Sequence, residues 1–466
     1  MWYGLVHPMI DIKQHPWDRR SFLKVGSLGL GGLSLDQALA AAAPGIDVTG
    51  KSVIFLFMHG GPSQTETFDP KMDQPDRIRS ATGEIRTSIP GITFGSTFPE
   101  LAKIAHKFTV VRSFQPGTGN HDIKPIVCKQ SMNANLGSVY ARVAGASDPQ
   151  TGMPRNATLF PRAVEPKSQA ANNKFGKFAS TGELGVQYAP FSPSGGSQLK
   201  KDMELHISKE RLGDRRHLLN RLDQLKREAD QGGQIEGVDR FQQQAFSTLM
   251  SGMTEAFDIH QEDNRLIERY DTSHLINPKH ISKAWNNYNN YVDHVQSLGK
   301  LLLLARRLAE RGCKFITVTT NFVWDMHADK NNATMTEGMD YVGRPFDHAV
   351  SAFIEDIEAR GLKDKILLVC CGEMGRTPKI NGKGGRDHWG GSAPLLLYGG
   401  GLKSGHVVGA STKDGGEPAH NIVRIPNLYA TIMDTVLDTG AIRLEAGIPK
   451  AVTQVISGAS PIRELI

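Results

Sequence analysis

The sequence predicts an α/β protein with a doubly wound, mostly parallel sheet and a helical insertion. Short, continuously apolar segments predict buried strands at 52–58, 108–114, 314–321, 365–371 and 393–398. Segments with the apolar periodicity of amphipathic helices lie at 347–362 and 427–437. Because apolar strands that alternate with such helices are typical of parallel sheets covered on both faces, we expect helices on both sides of this sheet.

Residues 200–310 interrupt this alternation and predict the helical insertion. Charged segments with a helical period lie at 201–231, 237–252, 261–270 and 281–311. The preceding segment, 150–200, is rich in Pro, Gly, Ser and Asn, a composition that predicts irregular loops. A chain of 466 residues is long enough for one large α/β domain with such an insertion. We therefore expect a single domain over 44–466.

The first residues have the pattern of an export signal. The segment 19–24 reads RRSFLK, an apolar, glycine-rich stretch follows at 25–35, and alanines fill 38–43. This pattern predicts a twin-arginine signal over 1–43, and hence a mature protein in the periplasm or elsewhere outside the cytoplasm. A membrane anchor is the alternative, but the apolar stretch is short, glycine-rich and interrupted by Asp36. We predict no transmembrane segment in the mature chain.

Charge and cysteine content exclude some classes of function. The formal net charge is +6, which is compatible with an anionic substrate. Basic residues form no stripe interleaved with aromatic residues, so we do not expect a nucleic-acid partner. Cys370 and Cys371 are adjacent in a predicted strand, where their side chains should point to opposite faces. With no metal-type cysteine spacing in the chain, we expect free, buried thiols.

Polar residues follow the predicted strands at the points where the strands end. His59 follows the first strand, His121 follows the second, and Glu373 follows the strand at 365–371. Asp325 and His327 follow the strand at 314–321. Because ligands of parallel α/β sheets bind beyond the carboxyl ends of the strands, these residues predict a single site.

Two pairs of these polar residues are candidate metal ligands. Asp325 and His327 are two residues apart, so in an extended segment both side chains point to the same side. Asp387 and His388 are adjacent and require a turn, which the flanking glycines permit, or they serve two neighbouring ions. Oxygen with imidazole suits zinc, manganese or iron better than calcium or magnesium. The alternative is that both pairs are polar loop residues without a metal.

A glycine-spaced loop after the strand at 365–371 also carries two arginines. Arg376 and Arg386 are candidates to bind a phosphate or sulfate group through their planar guanidinium groups. Glu373, at the start of the same loop, is a further candidate metal ligand. The alternative for each arginine is a solvated loop side chain.

Several motifs together resemble the domain-of-unknown-function 1501 family of exported proteins, which belongs to the alkaline phosphatase-like superfamily alongside the sulfatases. They are HGGPSQTETFDP at 59–70, NHDIKP at 120–125, WDMHAD at 324–329, GEMGRTPKINGKGGRDHWGG at 372–391 and YGGGLKSGHVVGAS at 398–411. The resemblance covers nearly all of the predicted mature chain. It implies an alkaline phosphatase-like sheet that holds one or two divalent metal ions.

The chain departs from the superfamily pattern at two positions. Where that pattern has an aspartate after the first strand, this sequence has His59. Where it has a hydroxyl or modified cysteine nucleophile, this sequence has His121, with Thr118 as the nearby hydroxyl. We therefore expect direct attack by metal-activated water, with His121 or His59 as general base or extra ligand.

These observations predict an exported, metal-dependent hydrolase of sulfate or phosphate esters. Its substrate would be a small molecule or a glycan, and its metal would be zinc, manganese, iron, calcium or magnesium. The alternative is a catalytically degenerate protein of the same fold that binds anionic glycans or a partner at the cell surface.

Overall fold

The computed structural model describes residues 48–148, 151–193, 254–445 and 447–466. The predicted export signal over 1–43 lies outside the described residues, and so do the helices predicted at 201–231 and 237–252. Among the helices that are described, none is long and apolar enough to cross a lipid bilayer.

The strands fall close to the apolar segments that predicted them. In chain order, the described strands are β1 (Ser52–Phe57), β2 (Glu84–Arg86), β3 (Thr93–Gly95), β4 (Thr109–Gln115), β5 (Asn156–Leu159), β6 (Phe315–Thr319), β7 (Ile366–Cys371), β8 (Gly375–Arg376), β9 (His388–Trp389), β10 (Ala393–Gly399), β11 (Val407–Val408), β12 (Ala410–Ser411), β13 (Pro418–His420) and β14 (Val423–Arg424).

Helices lie between and after these strands. In chain order, the described α-helices are α1 (Pro99–Lys103), α2 (Leu136–Ala144), α3 (Thr254–Phe257), α4 (Asn264–Tyr270), α5 (Tyr288–Glu310), α6 (Met335–Gly338), α7 (Arg344–Ala359), α8 (Ile425–Val436), α9 (Thr439–Leu444) and α10 (Lys450–Ser457). A π-helical segment, Met339–Gly343, joins α6 to α7.

One eight-stranded sheet forms the centre of the protein and confirms the predicted α/β class. Its order is β11-β4-β10-β7-β1-β6-β5, with β14 also paired to β4. Of the strands described in this sheet, only β10 runs antiparallel to its neighbours, β7 and β4. The sheet is therefore mostly parallel, as the sequence predicted.

Helices cover both faces of the sheet because its strands are apolar on both faces. Ile54 and Leu56 of β1 pack in one hydrophobic core with α1, α5 and α7. Phe55 and Phe57 point to the opposite core, which contains α2, α8 and α10. Burying each of these large side chains stabilises the fold by about 1.5–3 kcal/mol. Two apolar layers therefore fix the sheet and the positions of its strand ends.

The cysteines follow the same alternation along β7. Cys370 packs in the core with α5 and α7, whereas Cys371 packs in the opposite core. Both are free and buried, and Cys313 is free and buried as well. The predictions of opposite faces and of free, buried thiols are thus confirmed for β7.

The structure differs from the sequence-based expectations in two segments. β5 lies within the 150–200 segment that we predicted as irregular, because a four-residue strand with a polar first residue gives a weak apolar signal. The long helix α5, which lies in the segment predicted as a helical insertion, packs against the sheet in the main core.

Candidate metal centre

Polar side chains from several strand ends meet at one edge of the central sheet. β1 pairs in parallel with β6 and with β7, so the segments that follow these three strands leave the sheet at the same edge. These segments carry His59, Asp325 and Glu373. His121 joins them from the loop after β4, and His388 joins them from the β8–β9 hairpin.

Three of these residues offer ligand atoms to one point in space. Asp325 Oδ1 lies 3.3 Å from His121 Nε2 and 3.2 Å from His388 Nε2. The two Nε2 atoms are 2.9 Å apart, and all three atoms lie within 4.8 Å of one another. Donors held about 2.0–2.2 Å from a divalent ion are about 3.3–3.6 Å apart in tetrahedral geometry and about 2.8–3.1 Å apart at adjacent octahedral positions. The donor types and their separations therefore fit a divalent metal ion.

The second oxygen of Asp325 is held by a different pair of side chains. Asp325 Oδ2 lies 3.1 Å from His327 Nε2 and accepts a hydrogen bond of 2.9 Å from Asn332 Nδ2. The predicted Asp325–His327 pair is thus in contact, on the side of the carboxylate away from His121. The sequence did not predict the role of Asn332, because no ligand motif places an asparagine seven residues after an aspartate.

A buried arginine stabilises the charge of Asp325. Arg376 is fully buried, and its Nη2 lies 2.6 Å from Asp325 Oδ1. Burial of Asp325 acts to raise its pKa, but the charge of Arg376 and the hydrogen bonds from the three histidines hold that pKa well below its usual range. Asp325 is therefore ionised, as a metal ligand must be.

The position of Arg376 corrects its predicted role in binding an oxyanion. Its Nε donates to the Gly61 carbonyl oxygen at 2.8 Å, its Nη1 donates to the Arg386 carbonyl oxygen at 3.3 Å, and its Nη2 also contacts the Gly60 carbonyl oxygen. The guanidinium group is thus used to join the first loop to Asp325. We assign Arg376 to the support of the site.

Gly60 permits the close approach of the loop after β1 to Asp325. Its φ is +113°, and a Cβ atom at this position would lie 2.5 Å from Asp325 N. Trp324 N donates to the His59 carbonyl oxygen at 3.0 Å in the same contact. Only glycine combines this φ with this backbone contact, which accounts for the Gly60–Gly61 pair at the end of the first strand.

Glu373 lies on the other side of the His121 ring. Its Oε1 is 3.0 Å from His121 Nδ1, and the Gly60 N–H donates to both carboxylate oxygens, at 3.0 and 3.1 Å. Burial acts to lower the pKa of His121, but its hydrogen bonds to Asp325 and Glu373 outweigh burial and raise it. Glu373, predicted as a ligand, is absent from the group of atoms that converge on one point.

Asp387 and Thr118 lie apart from the converging atoms. Asp387 is exposed, and its Oδ1 accepts a hydrogen bond from Asn381 Nδ2 at 3.0 Å. Because adjacent residues in extended backbone point apart, His388 reaches the cluster and Asp387 does not. This corrects Asp387 as a ligand of the same ion. Thr118 is also exposed, and its hydroxyl accepts a hydrogen bond from Lys124 Nζ at 3.0 Å.

Arg386 is a buried structural residue, which corrects its predicted role in binding an anion. Its Nε donates to Glu66 Oε1 at 2.9 Å, and both residues are fully buried. Its two terminal nitrogens donate to four backbone carbonyl oxygens, those of Ile78, Arg79, Thr377 and Pro378. All five N–H groups of a guanidinium are therefore used inside the protein.

His59 is buried among aromatic rings and does not face solvent. It is 1 % exposed, and its ring centroid lies 4.9 Å from Phe322 and 5.7 Å from Phe178. Burial lowers the pKa of His59 to about 4, so the ring is neutral near pH 7. Among the described residues, neither ring nitrogen has a hydrogen-bond partner. This burial argues against His59 as a general base for a substrate in solvent.

Two phenylalanines that the sequence did not single out form one wall beside the histidines. Phe322 stacks on Phe175 with ring centroids 4.3 Å apart and meets the His121 ring edge-on at 4.6 Å. Its φ is +56°, an unusual conformation for a bulky residue. Such conformations persist where the surrounding structure enforces them and often lie at functional sites.

The sequence matches a known family over nearly the whole described chain. This family is described as "Protein of unknown function (DUF1501)", and the match covers residues 50–464. No curated protein matches the sequence.

Solved structures with similar folds have very different sequences. The PsFucS1 sulfatase from Pseudoalteromonas sp. is 10 % identical, with a TM-score of 0.36, over 95 % of this chain and 77 % of that one. The lipoteichoic acid synthase LtaP from Listeria monocytogenes is 7 % identical, with a TM-score of 0.33, over 96 % and 81 % of the two chains. The phosphonate monoester hydrolase of Agrobacterium radiobacter is 9 % identical, with a TM-score of 0.30, over 82 % and 73 %.

The converging atoms predict which acidic residue is needed for metal binding. We expect the wild-type protein, purified without chelator, to hold about one divalent ion per chain, because three donors of suitable type converge on one point. Asp325→Asn should lose most of that ion, since it removes the only carboxylate in the group. Asp387→Asn is the matched control and should keep it. Elemental mass spectrometry measures both, and equal metal loss in the two variants would contradict the assignment.

The environment of Arg386 predicts a loss of stability when the guanidinium is removed. Arg386→Met leaves the Glu66 carboxylate buried without its cation, so we expect the free energy of unfolding to fall by about 3–5 kcal/mol. Lys383→Met, an exposed change in the same loop, should shift it by less than about 0.5 kcal/mol. Urea unfolding measures both. If Arg386→Met were as stable as Lys383→Met, the structural role would be wrong.

Proposed function

This chain belongs to the DUF1501 family, and we propose that it is a metal-dependent hydrolase of sulfate or phosphate esters. The observation that carries the proposal is the convergence of Asp325 Oδ1, His121 Nε2 and His388 Nε2 at the carboxyl edge of the sheet. An oxygen and two imidazole nitrogens form the kind of three-residue set that catalytic zinc-type sites use, with further positions left for water or substrate.

Access to solvent distinguishes this set from a closed structural site. The side chain of His388 is 37 % exposed, whereas that of Asp325 is 4 % exposed. One side of the cluster is therefore buried and fixed, and the other is open to a ligand. A divalent ion there would supply a positive charge that polarises an ester oxygen and acidifies water at neutral pH.

The surrounding residues would orient the ligands and exclude water from one side. In this proposal, Asp325, His121 and His388 hold the ion. His327 and Asn332 fix the outer oxygen of Asp325. Because Arg376 and Arg386 are both buried and bonded within the protein, the ion itself would neutralise the negative charge of the ester.

A catalytically degenerate protein that binds anionic glycans is the second candidate. The observation that favours it lies after β4, where His121 takes part in the metal cluster and Thr118, the nearby hydroxyl, bonds to Lys124. Among the described residues, no cysteine belongs to the group of converging ligand atoms. This candidate predicts ligand binding without turnover.

We also propose export as part of this function. The RRSFLK segment at 19–24 and the alanines at 38–43 support a twin-arginine route. An extracytoplasmic location would give the protein access to sulfated or phosphorylated glycans and to small esters.

Turnover of model esters tests the proposed activity. We expect the metal-loaded protein to hydrolyse at least one of p-nitrophenyl sulfate, p-nitrophenyl phosphate, its phosphodiester or a phosphonate monoester. Asp325→Asn should lower kcat/KM at least about 100-fold, because each 1.36 kcal/mol of lost stabilisation is tenfold and an ion contributes several kcal/mol. Asp387→Asn should retain activity.

The outcome that contradicts hydrolysis is equally specific. A protein that binds its ion stoichiometrically but turns over none of these esters would favour the glycan-binding candidate. Binding of sulfated oligosaccharides, measured by calorimetry on the same metal-loaded sample, would then be the deciding observation.

A further inference from the structure

We propose that Glu373 is a positioning residue that selects the tautomer and ring orientation of His121. This inference rests on the proposed metal site but assigns Glu373 to a different place from the ligands. The carboxylate would hold a proton on Nδ1 of His121, so that the Nε2 lone pair faces Asp325 Oδ1 and His388 Nε2.

The two ring nitrogens of His121 have different neighbours. Nδ1 lies 3.0 Å from Glu373 Oε1, whereas Nε2 lies 3.3 Å from Asp325 Oδ1 and 2.9 Å from His388 Nε2. Glu373 Oε1 already accepts a hydrogen bond from the Gly60 N–H, and as an acceptor towards His121 as well it places a hydrogen on Nδ1. Nε2 faces the other two candidate ligands, and a metal ion bound there would displace any proton from Nε2 while Nδ1 keeps its hydrogen.

Glu373 is itself held in one orientation. Its side chain is fully buried, and the Gly60 N–H donates to both of its oxygens, at 3.0 and 3.1 Å. Gly60 is held in turn by Arg376, whose Nη2 donates to the Gly60 carbonyl oxygen. The loop that approaches Asp325 therefore holds the Glu373 carboxylate in place, and the carboxylate in turn holds the His121 ring in one orientation.

Metal-bound histidines commonly donate their second ring N–H to a carboxylate, which fixes the ring and raises its basicity as a ligand. Glu373 has this placement, on the edge of the His121 ring opposite the converging atoms. Charge adds to the effect, because an anion beside Nδ1 strengthens the electron donation from Nε2. We therefore expect Glu373 to change the affinity of the site for metal and not the number of metal ligands.

Two substitutions separate the charge of Glu373 from its hydrogen bond. Glu373→Gln keeps an oxygen that can accept from both His121 Nδ1 and Gly60 N, as Oε1 does. Glu373→Ala removes both contacts. We expect the Kd for Zn²⁺ to rise roughly 10–100-fold in Glu373→Ala and by a smaller factor in Glu373→Gln. Competition with a chromophoric chelator measures these affinities in the full chain.

Cobalt spectra distinguish a positioning role from direct ligation. With saturating Co²⁺, Glu373→Ala and Glu373→Gln should both keep the wild-type stoichiometry and visible absorption bands, because the ligands are unchanged. Asp325→Asn, which removes a ligand, should change or abolish those bands. Asp387→Asn is the control for the loss of a nearby exposed carboxylate and should match the wild type in affinity and spectrum.

NMR of the His121 ring tests its tautomer without a metal ion and without relying on the folding of Glu373→Ala. In ¹⁵N-labelled protein, long-range histidine spectra should show His121 with its proton on Nδ1 in the wild type and in Glu373→Gln. His121→Ala assigns the signal. A wild-type His121 protonated on Nε2 alone would overturn the inference.

Other results would also overturn the positioning role of Glu373. Each of them differs from the result that would contradict the proposed hydrolase activity. Unchanged Zn²⁺ affinity in Glu373→Ala would remove the positioning role while leaving the metal site intact. Altered cobalt bands in that variant would make Glu373 a ligand. Two ions per wild-type chain, falling to one in both Glu373→Ala and His59→Ala, would place Glu373 and His59 on a second ion. Normal metal behaviour without ester turnover would contradict only the hydrolase proposal.

Discussion

The buried contact between Asp325 and Arg376 is the interaction on which the candidate site depends. A carboxylate in the protein interior is costly unless a cation and hydrogen bonds compensate for the loss of water. Arg376 supplies that cation 2.6 Å away and also binds the carbonyl oxygens of Gly60 and Gly61. One guanidinium thus keeps Asp325 charged and attaches the loop after β1 to the segment after β6.

The same loop extends this support to the histidines. Gly60 accepts a hydrogen bond from Arg376 through its carbonyl oxygen and donates one to Glu373 through its N–H. Glu373 in turn contacts His121, whose other nitrogen lies beside Asp325. The contacts therefore form a closed ring that includes two of the three candidate ligands, Asp325 and His121. A ring of this kind fixes donor geometry before a ligand arrives, which lowers the reorganisation needed for binding and for chemistry.

The sequence predicted the central strands and the meeting of polar residues at their ends, because both follow from apolar runs and from the rule for parallel sheets. It did not predict which polar residues would face inward. Arg386 follows glycines and resembles a loop residue, but a distant carboxylate, Glu66, draws it into the interior. Asp387 and His388 are adjacent, and extended backbone directs their side chains to opposite sides, so only His388 reaches the cluster. Asn332 contacts Asp325 from seven residues further along the chain, a spacing that no ligand motif marks.

The most direct test of this account is the position of a bound metal ion in a crystal of the full chain. Anomalous diffraction measured on both sides of the zinc absorption edge locates such an ion independently of any assay. We expect one peak within bonding distance of Asp325 Oδ1, His121 Nε2 and His388 Nε2, with Glu373 on the far side of the His121 ring. A peak bound by Glu373, or no peak at this edge of the sheet with zinc bound elsewhere, would contradict it.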